Sequence, residues 1–508
     1  MARRAVSVIA GLALALLTLG PVIVVLNRAG GLSALGPGLL KAGDWQAVRF
    51  TLWQALLSAG VSVALAVPVA KALVRQRFPG RAALVTLMGA PFILPVIVAV
   101  MGLIAVFGQA GLVNDLLGAL GLPGVDVYGL HGVVLAHVFF NLPLAVRMLL
   151  NGWQAVPGER LRLASSLGLT RGAMWRVVDW PVVTRVAPGA FVVIFVICLT
   201  SFAVALTLGG GPRATTVELA IYQAMRFDFD LGRAAVLSLM QLALGLAAGL
   251  VALKVARTEG FGVGRDRTLL RRDGCGWTRL WDFGWITLAA LFLLVPLGAV
   301  VARGVPGLAL LRADTLIAAG HSLAVAAVST VLCMAWAVAL ANRRGELLSL
   351  AAITVSPLVL GTGLFLMLRP YVNPFSMALP VTALVNALMG LPFALRIITP
   401  QAEAVQADFG RLRASLGLTA WAWLRLVWLP RLRRPMGFAA GLVAALAMGD
   451  LGVIALFADP DRATLPLQVY RLMGSYQMEA AAGAALLLLG LSLGAFVLLD
   501  RGGRLAEV

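Results

Sequence analysis

Twelve stretches of about 20 predominantly apolar residues, the length needed to cross a hydrocarbon core, recur along this chain. They begin near Ala5, Thr51, Ala83, Gly129, Val186 and Arg233, and after a basic gap near Phe283, Ala318, Leu347, Ser376, Met436 and Glu479. A backbone in lipid must satisfy its own hydrogen bonds, and the period-two alternation of a barrel is absent, so each stretch is expected to be a helix. Composition agrees: 61% of the residues are hydrophobic and 12% charged, about half the charged share of a soluble domain. A soluble enzyme of 508 residues would divide into several domains, each needing a polar skin that this chain lacks. The run from Ala5 to Leu26 is too long for a signal-peptide core and has no small-x-small cleavage pattern, so it reads as a retained first span. The expected fold class is an all-α polytopic membrane protein.

The net charge of +19 invites a nucleic-acid reading, which the distribution rejects. Only Lys41, Lys71 and Lys254 are lysines, and the arginines fall in short clusters between apolar runs rather than on one basic face. That is an orientation signal. With the amino terminus inside, inner segments hold 30 of the 41 basic residues, and the segment from Gly108 to Tyr128 holds none. Both termini are therefore expected in the cytoplasm, and membrane lipid rather than nucleic acid is the expected surround.

The chain repeats itself. Ser166-Leu167-Gly168-Leu169-Thr170 recurs as Ser415-Leu416-Gly417-Leu418-Thr419, and in the same frame Leu142-Pro143 meets Leu391-Pro392, Arg147 meets Arg396, Glu159 meets Asp408 and Pro181 meets Pro430. Six spans per repeat give both halves the same polarity, a parallel repeat about an axis along the membrane normal. The expected halves are residues 1–256 and 283–508, with cores at about 49–254 and 317–499. The basic stretch 257–282, carrying Arg265, Arg267, Arg271 and Arg272, is read as their cytoplasmic linker.

Self-similarity peaks in two inner loops, roughly Gly152–Arg185 and Gln401–Arg434. Each reads as a helix ending at a glycine (Gly168, Gly417), then a second helix started by a threonine (Thr170, Thr419) and ended by a proline (Pro181, Pro430). A plain connector needs only a few residues. Two matching helical hairpins on one face are what a partner with its own two-fold symmetry would grip.

Leu163-Ala164, then Gly168, then Val178-x-Trp180-Pro181 resembles the EAA loop of type I ABC importer permeases, and Leu412-Arg413, Gly417 and Val427-x-Leu429-Pro430 repeat it. Arg162 and Arg411 stand at the family's glutamate position, and Arg413 replaces its second alanine. The resemblance implies a coupling helix seated on a separate ATPase subunit, with Glu159, Leu163, Ala164, Gly168 and Pro181 in one loop and Asp408, Leu412, Gly417 and Pro430 in the other. More narrowly, the chain is similar nearly end to end to the bacterial thiamine ABC transporter permeases, through Leu135–Pro143, Leu208–Met225 and Gly449-Asp450-Leu451-Gly452-Val453. This implies an inner-membrane permease importing thiamine or its phosphates, an ATPase dimer that supplies ATP and magnesium, and a periplasmic substrate-binding protein. Ferric-iron permeases are also fused duplicates. An ion-coupled secondary transporter would share the span count but leaves the twin hairpins unexplained.

The energy source can be read separately. A phosphate-binding Gly-Lys-Ser/Thr loop is excluded because the three lysines follow Leu40, Ala70 and Leu253. His131, His137 and His321 lack metal-ligand spacing, Cys198, Cys275 and Cys333 form no pair, and no catalytic triad is evident, so no metal, cofactor or enzymatic role is expected in the chain itself. Ionisable groups at membrane depth are expensive and mark candidate sites. Asp450, its repeat mate Ser201 and His137 beside Phe139 and Phe140 are the candidate substrate path.

Overall fold

The structure is a computed structural model that describes residues 2–30, 41–89, 93–255, 276–457 and 460–505. The first repeat supplies α1 (Ala2–Arg28), α2 (Ala42–Arg75), α3 (Arg81–Leu87), α4 (Val96–Phe107), α5 (Leu112–Ala119) and α6 (Leu130–Gln154). It continues through α7 (Gly158–Ser166), α8 (Arg171–Met174), α9 (Trp180–Leu199), α10 (Phe202–Leu208), α11 (Val217–Arg226) and α12 (Leu231–Val255). The second repeat opens with α13 (Trp277–Gly307), α14 (Ala313–Leu340), α15 (Arg343–Thr354), α16 (Pro357–Leu368) and α17 (Ala378–Ser415). It closes with α18 (Ala420–Trp423), α19 (Leu429–Met448), α20 (Gly452–Phe457), α21 (Leu465–Gly474) and α22 (Met478–Leu505). Among the described residues there is no strand.

Eleven helical segments of the described chain are long and apolar enough to cross a membrane, one fewer than expected. The stretch beginning near Leu347 is two twelve-residue helices, α15 and α16. Pro357 has no N–H to continue the first, and the Ser356 hydroxyl accepts the N–H groups of Leu358 and Val359 at 3.1 and 3.4 Å, so a new helix starts there. Of the expected linker, 257–275 lies outside the described residues, and the remainder is not linker: residues 277–282 already form the first turns of α13.

The two repeats clasp each other. α1 lies along α16 of the other repeat, and α13 lies along α4. Both crossings use the same device. A Cβ on Gly102 of α4 would stand 2.5 Å from the Pro296 carbonyl oxygen in α13, and one on Gly363 of α16 would stand 2.5 Å from that of Pro21 in α1. Only glycine lets the backbones approach so closely, the usual solution where lipid supplies no hydrophobic drive between helices. Two apolar cores flank this clasp, one including buried Phe139 and Trp153, the other buried Trp428 and Phe457.

Candidate functional site

The first hairpin is α7, a turn and α8. Gly168 takes φ +62°, and Leu169 N–H returns to the Ala164 carbonyl at 3.2 Å, closing α7. Thr170 Oγ1 then accepts the Ala173 N–H and starts α8. The second hairpin reproduces each step: Gly417 at φ +62°, Leu418 N–H to Arg413, and Thr419 capping α18 through Ala422. Leu161, Ala164, Met174 and Val178 pack into a small core that fixes the first hairpin's shape. In the second hairpin the first arm is not a short helix but the inner end of the 38-residue α17.

The prolines do not end the second arms. A π-helical turn, 175–179 in one hairpin and 424–428 in the other, leads directly into α9 and α19, with Pro181 and Pro430 in their first turns. A proline cannot donate in the ladder, and a wider turn placed just before it lets the helix continue. Each hairpin is thus rigidly joined to a span, so a force on it reaches the membrane.

Each hairpin exposes a pair of leucines. Leu163 and Leu167 are 60% and 66% exposed, and their repeat mates Leu412 and Leu416 are 48% and 62% exposed. Glu159 and Asp408 are exposed alongside them, as are Arg162 and Arg411. The hairpins are braced differently from behind. Asp179 of the first π turn is buried, bonded to Lys71 at 3.2 Å and accepting the Trp153 indole N–H at 3.0 Å, while Lys71 also sits 4.2 Å over the Trp175 ring. In the second, the guanidinium of Arg431 stacks 3.9 Å over Phe409 and that of Arg413 lies 5.5 Å from the Trp423 ring.

The candidate path residues fall into a second matched arrangement. His137 Nε2 meets Ser201 Oγ at 2.8 Å, and its Nδ1 meets Ser58 Oγ at 3.1 Å. The repeat mates of His137 and Ser201 are Asn386 and Asp450. Asn386 closes on the Asp450 carboxylate and donates to the Ala447 carbonyl at 3.3 Å. Both pairs sit where a span breaks, between α9 and α10 and between α19 and α20, and Asp450 Oδ1 accepts the Gly452 N–H at 3.2 Å across that break. Oδ2 is left buried without a hydrogen bond of good geometry.

Sequence reasoning missed Glu218. It is fully buried in α11, with both carboxylate oxygens lacking a well-aligned donor, and lies between Ser356 of the second repeat and Gln241 of the first. Burial pushes its carboxyl up to about 8. Neither Glu218 nor Asp450 is paired with a basic residue among the described residues. An acidic residue inside an apolar-faced amphipathic helix was the available signal. Among the described residues no cluster of histidine, cysteine or carboxylate could hold a metal ion.

No family model matches the chain. The thiamine transport system permease protein ThiP of Brucella melitensis is 38% identical over 511 aligned residues, covering 97% of this chain and 94% of its own. The protein of that name from Salmonella typhimurium is 39% identical, covering 90% and 89%. The molybdenum transport system permease protein ModB of Azotobacter vinelandii is 30% identical over 185 residues, 36% of this chain and 80% of that one.

Proposed function

This chain belongs to the family of the thiamine transport system permease proteins, and we propose that it carries thiamine and its phosphates across a bacterial inner membrane, powered by an ATPase dimer seated on its two hairpins. The observation that carries this reading is the matched pair of exposed leucines on two hairpins that are continuous with spans. A dimeric ATPase offers two equivalent grooves, and this chain offers two equivalent handles. ATP and its magnesium belong to that partner. On this reading both termini and both hairpins face the cytoplasm, an orientation supported by the 30 of 41 basic residues it places on the inner side.

Alternating access follows from the joints. Closing the ATPase dimer on ATP draws α7 and α17 together, and the π turns pass the movement to α9 and α19. The partner does this only to the extent that its two states bind the two conformations with different affinity. The breaks after α9 and α19, bridged by His137–Ser201 and Asn386–Asp450, are where each span can change direction.

The cargo reading rests on charge as well as relatives. Thiamine carries a permanently cationic thiazolium ring. Glu218 and Asp450 are buried acidic groups without a basic partner among the described residues, one at the seam between repeats and one at a broken span, and they supply the counter-charge once opening of the path hydrates them and Glu218 gives up its proton. A soluble receptor on the opposite face delivers the cargo. Uptake of labelled thiamine into vesicles holding the chain, its ATPase and internal ATP tests this: accumulation that unlabelled thiamine competes away, and ferric iron does not, is the expected result. Competition by ferric iron alone contradicts it.

A further inference from the structure

The two repeats part company where the first turn of α2 or α14 meets the turn before the closing helix, α12 or α22. Matched hydrogen bonds fix the register for the comparison. Thr51 Oγ1 of α2 accepts the Val217 N–H at 2.9 Å, and Ser322 Oγ of α14 accepts the Leu465 N–H at 2.7 Å. Seven residues before each hydroxyl, Asp44 therefore corresponds to Thr315. The turns agree as well: Asp230 N–H closes on the Ala224 carbonyl and Gln477 N–H on that of Leu472, each at 2.9 Å. Three residues further on, Arg233 corresponds to Ala480.

In the first repeat the space between these elements is filled from within. Asp44 is fully buried at the start of α2, where its Oδ2 accepts the Lys41 N–H at 3.0 Å. Arg233 donates twice to Asp44 Oδ1, at 2.7 and 3.1 Å, and reaches Asp228 at 2.8 Å. A carboxylate thus sits at a helix N-terminus, where the dipole and the orphan N–H groups favour an anion. The second repeat has neither residue. With Thr315 and Ala480 in their stead, the same space is a cavity of about 190 Å³ that both of them line. Arg312, Arg471 and Gln468 also line it, and Asp314 is the one carboxylate among the described lining residues. Arg312 is the residue at which α14 starts, and no side chain caps that helix.

We infer that this cavity binds a phosphoryl group, which takes the place that the Asp44 carboxylate holds in the first repeat. Guanidinium forks match phosphate oxygens in geometry as well as charge. Two arginines outweigh the single carboxylate of the lining, and the uncapped start of α14 adds backbone donors. Size sets a limit: pockets that enclose whole drug-sized molecules begin at roughly 300 Å³, so this one takes a group rather than an entire cofactor. The group can belong to phosphorylated cargo or to an anionic lipid headgroup. α2 runs from Asp44 to Lys71, which is bonded to Asp179 of the first hairpin, so filled space and cavity both lie on the face away from the hairpins. That is the face cargo reaches on the importer reading above, and assigning the group to thiamine phosphates rests on that reading.

Two double variants separate occupancy from charge. Thr315→Asp with Ala480→Arg rebuilds the first repeat's ion pair and fills the cavity; Arg312→Gln with Arg471→Gln removes the guanidiniums and keeps the space. The full chain, purified in maltoside detergent, is titrated calorimetrically with inorganic pyrophosphate. Saturable binding is expected for the parent and at least tenfold weaker binding for each double variant, with the melting temperature of the filled variant unchanged or raised. Displacement of pyrophosphate by thiamine diphosphate and not by thiamine supports the site and assigns its group to the cargo. Displacement by short-chain phosphatidylglycerol instead supports the site and assigns the group to lipid. Absence of saturable binding by the parent, equal affinity in the filled variant, or displacement by neither compound overturns the inference. Neither ATPase nor receptor enters the titration, so a failure of thiamine uptake would remove the importer reading and leave this result standing.

Discussion

At the scale of single residues, the two buried carboxylates carry the account of the cargo. Asp450→Asn keeps an oxygen for the Gly452 N–H and deletes only the charge. Thiamine uptake is expected to fall at least tenfold at normal protein level; unchanged uptake would reduce Asp450 to a helix brace. Glu218 makes a claim about pH. Its ordinary value is 4.5 and its folded value about 8, so the folded state holds the proton more tightly than the unfolded one. The resulting stability is complete below the ordinary value, declines as pH rises and is gone above about 8. Thermal unfolding in detergent should therefore show a melting temperature that falls between about pH 5 and 8. Glu218→Gln should flatten that slope and melt higher than the parent at alkaline pH. Parallel profiles for the two proteins would contradict the assignment. Asp450 was visible in the sequence because it interrupts an apolar run. Glu218 leaves only a weak signal, because α11 is too short and too polar to read as buried until its neighbours cover it.

At the scale of elements, the hairpins were legible and their joints were not. Glycine followed two residues later by a capping threonine announces a helical turn in any context, and both turns formed as read, at φ +62°. Proline reads as a stop in the sequence because periodicity cannot reveal a π turn, which absorbs the missing donor and carries the helix onward. Gly168→Val and Gly417→Val force a β-branched side chain into left-handed backbone, at a cost of about 1–2 kcal/mol each, and should loosen the hairpin without blocking membrane insertion. Leu163→Asp with Leu412→Asp leaves both folds intact, since all four exposed leucines face solvent in the isolated chain. It should abolish co-purification of the ATPase. Retention of the ATPase by that double variant would remove the hairpins from the coupling role.

At the scale of the whole molecule, duplication in the sequence foretold two similar halves but not how they hold together. The swap of α1 onto α16 and α13 onto α4 is invisible to hydropathy, since a lipid-facing helix and one lying on a neighbouring repeat read alike. The glycine–proline crossings that fix it carry no spacing signature in one sequence. Gly102→Leu or Gly363→Leu should be more disruptive than any lipid-facing substitution, lowering stability by at least the 1–3 kcal/mol typical of overpacking and separating the halves in cross-linking across the crossing. The break in the ninth expected span has a similar origin: Ser356-Pro357 lies inside an apolar run, and composition alone reads straight across it. The account as a whole claims that this chain is a path without an engine. Its most direct test is thiamine accumulation in sealed vesicles, measured with the chain alone, with the ATPase and ATP, and with the ATPase and the doubly substituted hairpins. Accumulation in the second preparation only is predicted; accumulation by the chain alone under an ion gradient would contradict it.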